Sequence, residues 1–167
     1  MFSCSQSKVE KEEKKAFTAD EELERLDPRQ PVPLQAMMAW HQKQNMQDHL
    51  LVVQEISAAL ASKDWAGVAQ ASSRIESSPQ EEQMCRHMGA GATGFTELAL
   101  DFHQSENAIG IAAKSESSSA VLNALSNTLS RCTKCHATYR QDLMSAQDWE
   151  QATRSTHAPT PGHGEQN

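Results

Sequence analysis

Cys132-Thr133-Lys134-Cys135-His136 is the segment of this chain best equipped for chemistry. Two thiols three residues apart can add across the two vinyl groups of a haem and leave thioether links. The histidine that follows offers an imidazole to one axial face of the iron. C-x-x-C-H is the attachment signature of haem c. On a helix Cys132 and Cys135 share a face and His136 adjoins it, so one turn can hold the porphyrin edge and reach its metal. The expectation is one covalent haem c, held by Cys132 and Cys135, with iron bound by His136.

Such a motif needs a helix to carry it and other helices to enclose the cofactor. Val121, Leu125, Thr128, Cys132, Cys135 and Tyr139 recur at steps of four and three, which predicts a helix over 118–143 with both cysteines on its inner seam. His136 falls on the flanking row with Leu122, Leu129 and Leu143. Upstream, Met38, Gln42, Met46, His49, Val53, Ile56 and Leu60 form one face of a long helix over 34–61. Asp64 can cap a second helix over 64–77, stopped at Ser77-Ser78-Pro79. Thr93 can cap a third over 93–114, with Phe95, Leu98, Phe102, Ile109 and Ala112 inward. The stretch 80–94 reads as mixed, with a helical turn loosening at Gly89, Gly91 and Gly94, and no strand is expected. Four amphipathic helices with short joins predict an all-α fold, an antiparallel up-down-up-down four-helix bundle with haem bound from the fourth helix.

The rest of the chain is read from its composition. Residues 1–33 are rich in Lys and Glu and end in Pro28, Pro31 and Pro33, which predicts a charged tether before a domain over 34–146. Residues 147–167 read as a disordered tail. With 167 residues, only 38% of them hydrophobic, the chain is lean for a core of its own, and a haem would add the apolar body that it lacks. The net charge of −7 gives no electrostatic case for nucleic acid. No run of about 18 apolar residues exists to span a membrane.

Haem attachment to C-x-x-C-H takes place outside the bacterial cytoplasm, so the expected location is the periplasm, with an export leader already removed. Cys4, within Cys4-Ser5-Gln6-Ser7, matches the acylated start of a bacterial lipoprotein except that Met1 stands where Leu is usual. Cys4 is therefore a candidate lipid anchor, with a free surface thiol as the plain alternative.

The chain resembles the cytochrome c′ family. The resemblance rests on a haem motif inside the last helix, Cys132-x-x-Cys135-His136-x-x-Tyr139-Arg140, and covers roughly Leu34 to Leu143. It implies that Tyr139 and Arg140 border the haem. It also implies a sixth iron position either open to gases or filled by a methionine of the first helix. Gln42 stands where the family usually has an arginine, and Cys85-Arg86-His87-Met88 falls outside its pattern.

Met46 is the candidate sixth ligand, since a thioether suits an electron carrier; a core methionine filling a gap is the plain alternative. His49, one turn on, is the alternative ligand. Cys85 and His87, with Cys132 and Cys135, could form a Cys3His zinc site, though this would leave His136 and the helical register unexplained. The expected activity is single-electron transfer between redox partner proteins, not enzyme catalysis. A second copy of the chain is a further candidate partner. The rival reading is a gas-binding protein with an open sixth position, taking nitric oxide or carbon monoxide.

Overall fold

Residues 17–154 are described by a computed structural model; Cys4 and residues 155–167 lie outside the described residues. The described chain is mostly helical, as expected. In order come α1 (Ala19–Leu26), β1 (Gln30–Leu34), α2 (Ala36–Ala61), α3 (Trp65–Ser72), α4 (Pro79–Met88), α5 (Phe95–Ala113), α6 (Ser118–Thr138), β2 (Tyr139–Leu143) and α7 (Ala146–Thr153). Among the described residues no helix is long and apolar enough to cross a membrane.

Local chemistry accounts for most of these ends. Asp64 accepts the Gly67 amide and starts α3, and Ser117 accepts the Ala120 amide and starts α6. At α4, Ser78 accepts the Glu81 amide and Pro79 occupies the first turn, where its missing N–H costs nothing. Pro79 thus begins a helix as well as ending the run before it, and 79–88 is a full helix where only a turn was expected. The α3 helix ends at Ser72, short of 77. The cap of α5 is Gly94 at φ +79°, a left-handed conformation that glycine adopts freely, and not Thr93.

Two short strands correct the expectation of none. β1 pairs with β2 in parallel, from Gln30 opposite Tyr139 to Leu34 opposite Leu143. Pro31 and Pro33 hold β1 extended, and Val32 and Leu34 are buried. The helix that carries Cys132 and Cys135 therefore stops at Thr138 and not at 143: Tyr139 is already extended, at φ −122° and ψ 149°. Leu143 consequently leaves the row of His136.

The terminal spans also differ from expectation. The described part of 1–33 holds a capped helix and a strand. Of the tail, 146–153 forms α7, which seats Trp149 in the core. Trp149 donates through Nε1 to the Pro33 carbonyl at 3.0 Å and is 8% exposed. Trp149→Ala is expected to cost about 3–5 kcal/mol, the usual range for a buried large aromatic. Urea unfolding measures this, and a loss under about 1 kcal/mol would show that α7 is a dispensable appendage.

The apolar interior forms two clusters. One gathers Val32, Leu34, Met38, Met88, Phe95, Tyr139 and Trp149. The other gathers Val52, Ile56, Val68, Ile109, Val121 and Leu125 from α2, α3, α5 and α6. Helix α2 contributes its first turn to one cluster and its C-terminal half to the other. Its middle, from 40 to 51, has no fully buried residue. α2 packs on α3, α3 on α5 and α5 on α6, whereas α2 and α6 touch little.

Candidate functional site

The gap between α2 and α6 is a narrow cleft with about 80 Å3 of free space, partly open to solvent. Its walls are Met46 and His49 of α2, Met84, Cys85 and Met88 of α4, Phe95, Leu98 and Phe102 of α5, and Cys132, Cys135 and His136 of α6. The unburied middle of α2 is explained by this gap: its inward row faces the cleft. A wider groove adjoins the cleft, and Gln42, Met46, Phe95, Cys135 and His136 border both spaces.

The motif residues differ in exposure. Cys132 and Cys135 are half-buried and His136 is exposed. The Cys132 thiol donates to the Thr128 carbonyl at 3.6 Å. Burial pushes both thiols up, and the charge of Glu106 adds to the shift at Cys132. Both are thereby held as thiols, facing an apolar space.

Tyr139 and Arg140 follow the motif but belong to β2, not to the helix. The Tyr139 hydroxyl donates to the Thr93 carbonyl at 2.7 Å, and its ring meets Phe95 edge-on at 5.3 Å. Arg140 borders the outer groove beside His136, with Asp142 3.8 Å away. Gln42 accepts a hydrogen bond from Gln141 Nε2 at 2.6 Å, which ties α2 to β2.

Met46 and His49 stand one turn apart on α2 and differ in setting. Met46 is 40% exposed, at the mouth where cleft and groove meet. His49 lies deeper. Its ring packs 4.9 Å from Phe102 and 5.5 Å from His103. Burial, then the charge of His103, lowers its pKa to about 4, so the ring is neutral. Its Nδ1 is buried without a hydrogen bond.

Sequence reasoning missed a buried ionisable pair behind the cleft wall. His103 is 6% exposed and Glu106 fully buried, both on α5. His103 Nδ1 lies 3.1 Å from the Ile75 carbonyl and 3.3 Å from Glu106 Oε2, and Nε2 lies 3.8 Å from Glu81. The Nδ1 hydrogen serves the carbonyl, so Glu106 faces the ring as a charge, and neither of its oxygens has a hydrogen bond. Burial raises the Glu106 pKa to about 7. Burial works against charge on His103, but Cys85, Glu106 and the Ile75 carbonyl beside the ring outweigh this and raise it to about 10. The spacing of three along α5 was the available signal, overlooked because polar residues read as solvent-facing.

The zinc reading fails on geometry. Cys85, Cys132 and Cys135 line one cleft, but the His87 ring packs against Trp149, with centroids 5.3 Å apart. Among the described residues no three His, Cys, Asp or Glu side chains are grouped to hold a metal ion. A flat apolar group could instead be held between two cysteines of α6 and the phenylalanines of α5, with donors on the α2 and α6 walls. No protein-family profile, curated protein or solved structure matches the chain.

Proposed function

We propose that this protein is a monohaem c-type cytochrome of the cytochrome c′ kind, a one-electron carrier. One observation carries the reading: a single apolar cleft gathers Cys132, Cys135 and His136 from one wall and Met46 from the other. The residues fit a haem in type and in apolar lining, and a group of that size would also reach into the adjoining groove. In this reading α2, α3, α5 and α6 are the four helices of a bundle, and α6 holds the cofactor. The bound haem would supply the ferric–ferrous couple.

The chain's own residues do the rest. Cys132 and Cys135 fix the group covalently, so it survives loss of fold. His136 and Met46 offer one donor from each wall. Phe95, Leu98 and Phe102 exclude water from the inner side, while the mouth at Met46 and His136 leaves one edge within reach of a partner. Arg140, beside that mouth, suits a carboxylate. The reading extends to redox proteins as partners, a periplasmic location, and a lipid anchor at Cys4 if that residue begins the mature chain.

The test is the mass of denatured, acid-extracted protein made in a host competent in cytochrome c maturation. The expected result is chain plus one haem, lost in a Cys132→Ala/Cys135→Ala variant. A chain mass without haem in the unmodified protein rejects the proposal.

A further inference from the structure

The C-terminal end of α6 lies beside a segment from the opposite end of the described chain. The last carbonyls of a helix have no partner within it and must find one elsewhere. Cys135 O takes the Tyr139 amide. His136 O accepts a hydrogen bond from Arg29 Nη1 at 3.2 Å, 107 positions away in sequence.

Arg29 is itself held. Its Nε donates to Asp27 Oδ1 at 2.9 Å and its Nη2 to Asp27 Oδ2 at 2.6 Å, a two-pronged pair. The Arg29 amide also donates to Asp27 Oδ1 at 3.1 Å. The next residue, Gln30, opens β1 opposite Tyr139, so the strand pairing sets Arg29 beside the end of the motif. Arg29, Asp27 and His136 all border the outer groove. An isolated surface ion pair is worth little. This one is anchored to backbone at both ends, and its free prong reaches the residue proposed to bind iron.

We propose that Arg29 is a positioning residue for His136, fixing the backbone from which the axial imidazole projects, with Asp27 as its brace. This rests on the haem reading for its consequence, but not for its geometry. Groups that orient a metal ligand tune the metal it binds. Arg29 would act on His136 from the carbonyl side, and its lysine replacement could reach the carbonyl with one donor but could not form the fork with Asp27.

Two measurements test it on the full chain with Arg29→Gln, Arg29→Lys and Asp27→Asn. The first is the His136 carbonyl-carbon NMR signal in protein made without haem. Arg29→Gln should shift it, Arg29→Lys should recover part of the shift, and Asp27→Asn should shift it less than Arg29→Gln. The second is the ferric electron-paramagnetic-resonance signature of haem-loaded protein, expected to follow the same order. An unmoved carbonyl signal in Arg29→Gln overturns the proposal, whether or not haem is bound. A moved carbonyl with an unchanged ferric signature also overturns it, leaving Arg29 as a helix cap alone. Failure of the chain to take up haem would reject the functional reading, and the carbonyl signal would still report on Arg29.

Discussion

Met46→Ala is expected to turn a low-spin ferric protein high-spin and to let its ferrous form take carbon monoxide, while His49→Ala leaves the low-spin state in place. Both side chains reach the cleft, but they occupy different depths. Met46 shares the mouth with His136, on the opposite wall, whereas the His49 ring is engaged by Phe102 and His103. A flexible thioether at the mouth can swing toward a metal without disturbing the core. Moving the His49 ring would strip it from two packed neighbours. Visible absorption of both oxidation states decides the matter. Loss of the low-spin signal only in His49→Ala would transfer the ligand role to that residue. An unmodified protein that is already high-spin would reject Met46 as ligand and favour gas binding at an open position.

The second large effect concerns stability and needs no cofactor. His103→Ala is expected to cost about 3–5 kcal/mol at pH 8, because it strands the buried Glu106 carboxylate. Glu106 contributes a falling limb to the pH response, opposed between pH 4 and 6.5 by His49, whose pKa is lowered to about 4, and joined above pH 6.5 by His103, whose pKa is raised to about 10. The Glu106 pKa rises from 4.5 to about 7 on folding. Below pH 4.5 the group is protonated in both states and contributes nothing. Between pH 4.5 and 7 the unfolded chain gives up the proton more readily, so stability falls as pH rises, by about 3 kcal/mol in all. Above pH 7 the Glu106 share of the loss is complete. Glu106→Gln should remove that share of the slope. Urea midpoints across pH 4–8 of the unmodified protein and of Glu106→Gln measure it, and the same slope in both would mean that the carboxylate is not burdened by its burial.

The parts of the fold legible in the sequence are those written in local spacing. Repeats of apolar residues at three and four placed α2 within two residues at its start and matched the start of α6 at Ser118. The motif placed Cys132 and Cys135 correctly on an inward seam. The β1–β2 pair was hidden because each strand is five residues long and its partner lies across nearly the whole chain. Proline in β1 argued against a strand, yet parallel pairing at a sheet edge tolerates it. The α4 helix was misjudged for a different reason. Ser78-Pro79 with Glu81 is a start signal, and it was taken only as a stop. Cleft residues Met84 and Cys85 each stand about one turn before Met88 on that helix. The partnership of Arg29 with His136 left no local trace.

The strand pair also dictates an order of events. Its first strand is made long before its second, so it is a closure that no chain ending before Tyr139 can complete. Bringing such distant ends together carries a loop-entropy cost that grows slowly with length, but contacts of this separation form late in folding. Until they form, Val32 and Leu34 have no neighbouring strand, and the end of α6 is unpinned. If the chain takes up haem as proposed, the cysteine-bearing turn would be most accessible to attachment machinery before the strands meet, and closure afterward would pin the end of the helix that carries it.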